Sequence, residues 1–229
     1  PLRRARRSAR RPSRSSRPLP EPPAARRLLT FAAHPPARTS RRLALVVVAA
    51  AAVVGAVVEF RTPVLPDSSW LLWLARRWLD GSVLYRDMWE INPPLAVWLH
   101  APVVAVSRLT GWPVGVVFRA AVILWSIGCL VLLDRVLRRW DRSPADRNLA
   151  LAIAAVVLLG LSGPFFGQRE HLILGAAIPW TALLAARRGG APLSPRLAAL
   201  ISTAMAIGIA LKPMYLGLWL MVPLLGWRQ

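Results

Sequence analysis

The stretch LALVVVAAAAVVGAVV, residues Leu43–Val58, is a continuous apolar block that directly follows Arg41 and Arg42. A helix with one buried face in a soluble protein would interrupt its apolar residues about every third or fourth position. A bilayer crossing instead needs about 20 mostly apolar residues, and flanking arginine and aromatic side chains can extend a slightly short block. This block therefore predicts a membrane-crossing helix, retained as a signal anchor.

Similar apolar blocks recur through the rest of the chain, which is 55% hydrophobic and only 17% charged. A soluble domain would carry about 25% charge. We predict an all-α integral membrane protein with about six transmembrane helices, residues 43–229 forming one polytopic domain. Because the sequence starts at Pro1 and stops after an apolar run, we expect its C-terminal part to be truncated. The later predicted crossings are roughly Pro113–Leu133, Leu149–Phe166, Leu172–Ala186, Leu197–Leu211 and Met214–Trp227.

The first 42 residues differ sharply from the remainder. They hold thirteen arginines, many Pro and Ser, and Glu21 as their one acid, within a chain of net charge +20. Such a segment cannot bury apolar surface and is expected to be disordered. A basic tail before a first crossing indicates a cytoplasmic N-terminus near anionic membrane lipids, and we expect no nucleic-acid partner.

Residues 59–112 are predicted to form an outer loop with interfacial helices. Asp67 can cap a helix that runs to Leu79 and stops at Gly81. The side chains of Trp70, Leu71, Leu74 and Trp78 share one face of that helix, as expected for a helix at headgroup depth. A second apolar run follows Pro94 and reaches Val106. If it crossed the membrane, both later Arg-rich connections would face outward, so we interpret it as re-entrant or interfacial.

This topology brings ionisable residues from three connections to the outer face. Such groups at membrane depth are costly and are often functional. The candidates are Asp67, Asp87, Glu90, Arg169, Glu170, His171 and Lys212.

Structural readings of the same residues remain open at this point. Asp67 can be only a helix cap, Arg169 and Glu170 a local ion pair, and Lys212 a snorkelling side chain. His171 and His100 can be structural histidines, while Asp80, Asp87 and Glu90 can be solvated loop charges. The sequence has no Walker-type glycine loop, HExxH or GxSxG motif, and its lone Cys129 excludes an internal disulfide or a cysteine-based metal site.

One set of motifs resembles a known family. Five segments of this chain resemble the first outer loop of GT-C membrane glycosyltransferases. They are Pro66-Asp67-Ser68-Ser69-Trp70, Ala75-Arg76-Arg77, Asp80-Gly81, Tyr85-Arg86-Asp87 and Asn92-Pro93-Pro94-Leu95. The narrower likeness is to the branch of protein O-mannosyltransferases and the lipid A aminoarabinose transferase (glycosyltransferase family 39-like). The turn Gly167-Gln168-Arg169-Glu170-His171 is similar to a later outer-loop motif of bacterial members. The likeness covers roughly residues 40–225, the N-terminal membrane portion of such an enzyme.

The resemblance implies a plasma-membrane enzyme with an outward active face, which moves a sugar from a polyprenyl-phosphate carrier to a glycan, lipid or protein acceptor. It implies Asp67 as the catalytic carboxylate, although Ser68 stands where many members have a second acid. With that chemistry, Glu170 is either a second acid or a residue that orients Arg169, and His171 could serve either role. Arg169 and Lys212 are the candidates to bind the donor phosphate, and Asp87 and Glu90 are auxiliary residues, as is His171. No metal ligand is assigned, and a divalent cation is left open as cofactor.

Two other functions compete with this one. The same charges could line the substrate path of a transporter or flippase, although no internal repeat is visible. The chain could also be a membrane assembly subunit without an active site.

Overall fold

The computed structural model describes residues 37–140, 142–217 and 220–221. Within these ranges the chain is all-helical, as expected, apart from one isolated bridge between Leu84 and Met88. A π-helical turn, Val156–Gly160, extends the fifth helix, and short 3-10 turns lie at Gly163–Phe165 and Pro213–Tyr215. The helices are α1 (Ala37–Arg61), α2 (Pro66–Leu79), α3 (Pro94–Thr110), α4 (Val114–Arg139), α5 (Pro144–Ala155), α6 (Arg169–Arg188) and α7 (Pro195–Leu211).

Two of the described helices are long and apolar enough to cross a bilayer. They are Arg41–Arg61 within α1, and α4. Only 17% of the apolar window of α1 is buried in the protein. Its exposed Val and Leu side chains, including Val46 and Val53, therefore face outward rather than into a core. The predicted number of six crossings stays a prediction.

Two predicted boundaries differ from the structure, and a third block lies mostly outside the described residues. Residues 1–36 of the predicted tail lie outside the described residues, whereas residues 37–42 already belong to α1. Helix α5 begins at Pro144 because the Ser143 hydroxyl accepts a hydrogen bond from the Asp146 N–H (3.1 Å) and caps the helix. Most of the predicted block Met214–Trp227 is outside the described residues, but α7 clearly ends at Leu211, where Lys212 is extended (φ −148°, ψ 79°).

The helices pack around α4, which contacts α3 on one side and α6 on another. The indole N–H of Trp125 in α4 donates to the carbonyl of Leu172 in α6 (3.1 Å). Helix α6 also packs on α7, α1 on α5, and α2 on α3. The largest core cluster joins α2, α3 and the first half of α4, with Leu71, Val97 and Phe118 among its members. This cluster supports one end of the bundle, where the polar residues gather.

Helix α2 differs in two respects from the expected interfacial helix. Pro66 occupies its first position and Asp67 lies in the first turn without capping it, so the predicted cap is wrong. The four residues predicted to share one face also differ in burial. Leu71 and Leu74 are buried, whereas Trp70 and Trp78 are 42% and 38% exposed. The helix does end as expected, because the backbone turns to a positive φ (+94°) at Gly81.

The segment from α1 to α4 leaves and re-enters the bundle at the same end. The Arg119 guanidinium in the second turn of α4 donates to the carbonyl of Thr62, just after α1. Between them, the ends of α2 and α3 are tied by an ion pair of Arg108 with Asp80 (2.8 Å). Residues 63–113 therefore begin and end at the same end of the α1 and α4 pair.

Helix α1 lies very close to the π-helical turn that extends α5 at Gly55. A Cβ atom at Gly55 would lie 1.7 Å from the carbonyl oxygen of Leu159, which belongs to the π-helical turn. On the other side of this contact, Gly160 lies against Ala51. Small residues therefore let the two backbones touch, and any side chain at Gly55 would push them apart.

Candidate functional site

The polar site is built around the Arg169 guanidinium, at the first position of α6. Its Nη2 atom lies 3.3 and 3.4 Å from the two carboxylate oxygens of Asp67, in the first turn of α2. Its Nη1 atom donates to the side-chain oxygen of Asn92, in the loop before α3. The Arg169 side chain is only 9% exposed, whereas Asp67 is 37% exposed. Arg169 thus fixes the carboxylate from the protein side and leaves one side of it open.

A second ion pair lies directly beside the first. The Lys212 ammonium, at the end of α7, donates to the carboxylate of Glu170, in the first turn of α6. Burial is the largest single influence on Glu170 and would raise its pKa, but the Lys212 hydrogen bond and the charges of Lys212 and Arg169 outweigh it. The pKa of Glu170 is therefore below its usual value, and the carboxylate is ionised at neutral pH.

The fold explains why these four charges meet. Asp67, Arg169 and Glu170 lie in first helical turns, and Lys212 directly follows a helix. Adjacent helices that run in opposite directions bring such ends together. A carboxylate near a helix N-terminus is also stabilised by the exposed N–H groups there. The local ion pair between Arg169 and Glu170 is not found, because each side chain turns to a partner on another element.

The turn before α6 positions Arg169, and its backbone binds one ring nitrogen of His171. Gly167 adopts φ +74°, and a Cβ atom there would meet the Phe118 ring at 2.4 Å. The Gly167 N–H donates to Nδ1 of His171 (3.0 Å), and Nε2 of the same ring contacts the carbonyl of Leu158 (2.9 Å). Both ring nitrogens of this buried histidine are therefore engaged by backbone, which favours its structural reading.

Glu90 organises the loop that presents Asn92. Its Oε1 atom accepts from the backbone N–H groups of Ile91 (2.8 Å) and Asn92 (2.7 Å), and from the Asn92 side chain. Its Oε2 atom accepts from the indole of Trp70 (2.7 Å). Burial would raise the pKa of Glu90, but these four donors outweigh it, so the pKa is lowered. Glu90 therefore acts on the site through Asn92 and not by direct contact with Asp67.

Asp87 lies in the same loop but outside the charged cluster. It pairs with the exposed Arg86 (2.8 Å) and accepts from the N–H of Val83 (2.8 Å). The Arg86 hydrogen bond, followed by that of Val83, lowers the pKa of Asp87 to about 2. This pattern matches a turn-forming aspartate, the structural reading left open above.

His100 lies beneath the cluster, in α3. It is buried, its Nδ1 contacts the carbonyl of Ala96 (2.7 Å), and its ring stacks on Phe118 with the ring centroids 5.6 Å apart. Its Nε2 atom has no partner within the described residues. A cavity of about 190 Å³ lies between α3, α4, α6 and α7, and among the described residues on its wall His100 is the ionisable one.

Several polar atoms in the cluster are buried without a hydrogen-bond partner in the described part of the chain. They are Nε of Arg169, Oε2 of Glu170 and Oγ of Ser68. Buried polar atoms are nearly always paired, and exceptions gather at functional sites. Arg169 and Glu170 thus retain hydrogen-bonding capacity that their ion pairs do not use.

Comparisons with protein-family models, with curated proteins and with solved structures found no match to this chain. In residues 37–140, 142–217 and 220–221, no group of three or more His, Cys, Asp and Glu is arranged to hold a metal ion.

Two features of this end of the bundle were not assigned a role from the sequence. One is Asn92, which lies in a quoted motif but whose contact with Arg169 joins residues 77 positions apart. The other is the pair of buried charges Glu59 and Arg119. The sequence did contain a signal for this pair: Arg119 lies inside the apolar block Pro113–Leu133, where a charge is costly.

Proposed function

We propose that this protein is a membrane glycosyltransferase of the GT-C type, which moves a sugar from a polyprenyl-phosphate donor to an acceptor hydroxyl outside the membrane. The observation that carries the proposal is the meeting of Asp67, Arg169, Glu170 and Lys212, from three helices and separated by up to 145 positions, in one cluster. A partly exposed carboxylate, in a cluster that also holds an ammonium group, supports this transfer.

The proposed chemistry assigns each group one task. Asp67 takes the proton of the acceptor hydroxyl as its oxygen attacks the anomeric carbon. The bond from that carbon to the phosphate oxygen breaks, and the electron pair leaves with the lipid phosphate. Lys212 uses the ammonium protons not bound to Glu170 to stabilise the charge that develops there. Arg169 and Asn92 are positioning residues, because they hold the Asp67 carboxylate.

The membrane setting of the proposal rests on α1 and α4. Their length and composition suit a crossing, and the outward apolar side chains of α1 suit contact with lipid. The contact of Arg119 with Thr62 supports an outer layer of residues 63–113 that does not carry the chain across. In this arrangement the N-terminus is cytoplasmic, the site faces outward and the protein lies in the plasma membrane, as the distribution of Arg residues favours.

The test is sugar transfer by the full-length protein in proteoliposomes. A panel of polyprenyl-phosphate sugars with a radiolabelled sugar would be offered, with lipid, glycan and peptide acceptors. Asp67→Asn should lower the transfer rate at least about 100-fold, since general-base catalysis contributes that much. Asp80→Asn is the matched control, because Asp80 forms an exposed ion pair at the other end of the same helix.

Three outcomes would contradict the proposal. One is wild-type transfer by a folded Asp67→Asn variant. Another is protection of the labelled lipid from an external enzyme without any transfer, which would indicate a flippase. The third is no activity with any donor although the protein binds a membrane partner stably, which would indicate an assembly subunit.

A further inference from the structure

A second pair of buried charges lies outside the Asp67 cluster. Glu59 is near the end of α1 and 8% exposed, and Arg119 is in the second turn of α4 and 9% exposed. Both belong to the two helices that are apolar enough to cross a bilayer. Charged groups buried at such positions are expensive and usually face a partner of opposite charge or a polar ligand.

Glu59 and Arg119 do not neutralise each other by direct contact. Arg119 donates from Nη1 to the carbonyl of Gly115 (3.0 Å) and from Nη2 to that of Thr62, and its guanidinium lies 5.8 Å from the Phe60 ring centroid. The two charges interact electrostatically, but none of the ion pairs formed by the described residues joins them. A guanidinium has five N–H donors, so three of those of Arg119 are not used by the two carbonyls.

Both charged residues line the same cavity, which has a volume of about 310 Å³. Thr62 is the other residue with a polar side chain on the wall, and the rest of the lining is apolar and includes Val64, Phe118 and Phe166. A ligand here therefore meets one negative and one positive side chain across a small apolar chamber.

A groove of about 470 Å³ lies along α1 and α4 next to this cavity, and Phe166 lines both of them. On α1 it follows residues 45–56, below Glu59, and on α4 it follows Ile123, Ile127 and Val131, beyond Arg119. Eleven residue steps of helix span about 16 Å. Small side chains at Ala49 and Ala52 form part of its floor. Apart from Asp134, which pairs with Arg138 and Arg147 at the far end, the described lining of the groove is apolar, and its length suits a single acyl chain.

We propose that the cavity and the groove bind one molecule of zwitterionic phospholipid. Its ammonium group contacts Glu59, its phosphate contacts the free N–H groups of Arg119, and one acyl chain lies between α1 and α4. An anionic lipid would bring a second negative charge to Glu59, and a polyprenyl phosphate has no cation for it. A free phosphoethanolamine would leave the groove unused. The inference does not depend on sugar transfer.

The test is native mass spectrometry of the full-length protein. Delipidated protein in detergent would receive equal amounts of phosphatidylethanolamine and phosphatidylglycerol, and separately phosphoethanolamine or polyprenyl phosphate as competitors. One phosphatidylethanolamine per chain should be retained, with about tenfold preference over phosphatidylglycerol, since each lost charged contact commonly costs that factor. Neither competitor should displace it at equal concentration.

Variants separate the contributions of charge and groove. Glu59→Gln and Arg119→Gln should each reduce retention of phosphatidylethanolamine about tenfold. The paired controls Asp80→Asn and Arg108→Gln, in an exposed ion pair, should not change it. Ile127→Trp fills the groove from a 45% exposed position without touching either charge, so it should block retention even if a charge variant fails to fold. Equal retention of phosphatidylglycerol, displacement by either competitor, or unchanged retention in folded Arg119→Gln and Ile127→Trp would overturn the proposal.

Discussion

The Nη2 atom of Arg169 lies 3.3 and 3.4 Å from the two carboxylate oxygens of Asp67, a residue 102 positions earlier in the chain. The same guanidinium donates to Asn92 through Nη1. A planar guanidinium can hold a carboxylate and an amide oxygen at a fixed angle, whereas an ammonium group acts as a point charge. The orientation of Asp67 therefore depends on the shape of Arg169 as well as on its charge.

The first prediction concerns this shape. Arg169→Lys keeps the charge but cannot reach both Asp67 and Asn92, so the transfer rate in proteoliposomes should fall about 100-fold. Arg108→Lys is the control, because the exposed pair of Arg108 with Asp80 is worth little and its loss should leave the rate within about twofold. Equal rates for Arg169→Lys and the wild type would show that Arg169 supplies only charge.

The second prediction concerns pH and Glu90. The folded state lowers the pKa of Glu90 below its usual 4.5, because the donors from Trp70, Ile91 and Asn92 outweigh the effect of burial. A lowered pKa means that the stabilisation is complete above pH 4.5 and is lost as the pH falls through the folded value. The melting temperature of Glu90→Gln should therefore be lower than that of the wild type at pH 7, and this difference should disappear as the pH falls below 4.5.

Asp87→Asn is the matched control for this titration. The pKa of Asp87 is lowered from its usual 3.8 to about 2, so the difference between this variant and the wild type should be complete above pH 3.8 and should be lost as the pH falls to about 2. Melting curves in detergent over this pH range measure both. If the melting temperatures of Glu90→Gln and the wild type differ by the same amount at every pH, the Glu90 contacts do not depend on its charge.

The third prediction concerns the contact of α1 with α5. Gly55→Ala would place a methyl carbon 1.7 Å from the Leu159 carbonyl oxygen, so it should lower the free energy of unfolding by about 1–3 kcal/mol. Gly128→Ala is the control, since no atom lies within 4 Å of a Cβ there, and it should be neutral or stabilise by up to about 1 kcal/mol. Denaturant unfolding in mixed micelles compares them, and equal stability of the two variants would refute the close contact.

The fourth prediction concerns the orientation of the bundle. In a Cys129→Ala background, Ile91→Cys should react with an impermeant maleimide in intact cells, because Ile91 is 88% exposed and lies near the site that we propose faces outward. Arg187→Cys, at the other end of α6, should react only after permeabilisation. Reaction at both positions in intact cells would contradict a crossing by α6, and the reverse pattern would invert the proposed orientation.

The helix positions could largely be predicted, because uninterrupted hydrophobicity shows directly in the sequence. The helix ends were less accurate, since they depend on local hydrogen bonds such as the cap that Ser143 provides for α5. The helical wheel could not show that the Trp70 indole donates to the Glu90 carboxylate, because that contact joins residues 20 positions apart.

The candidate residues could be proposed from the sequence, but their pairing could not. Asp67 and Arg169 were both singled out, while sequence proximity suggested a pair of Arg169 with Glu170. Which helix ends meet is set by packing over the whole bundle, as in the contact of Lys212 with Glu170 across 42 positions. Asn92 was overlooked for the same reason.

The cluster holds two carboxylates, Asp67 and Glu170, and two cations, Arg169 and Lys212. It is therefore electrically neutral when all four groups are ionised. A neutral cluster can stay partly buried between reactions at low electrostatic cost. On the proposed reaction, Asp67 loses its charge when it takes the acceptor proton, and the cluster becomes a net cation at the moment the phosphate gains negative charge. Proton uptake and anion stabilisation would then be two results of one event, and release of the lipid phosphate would be completed when the proton leaves Asp67.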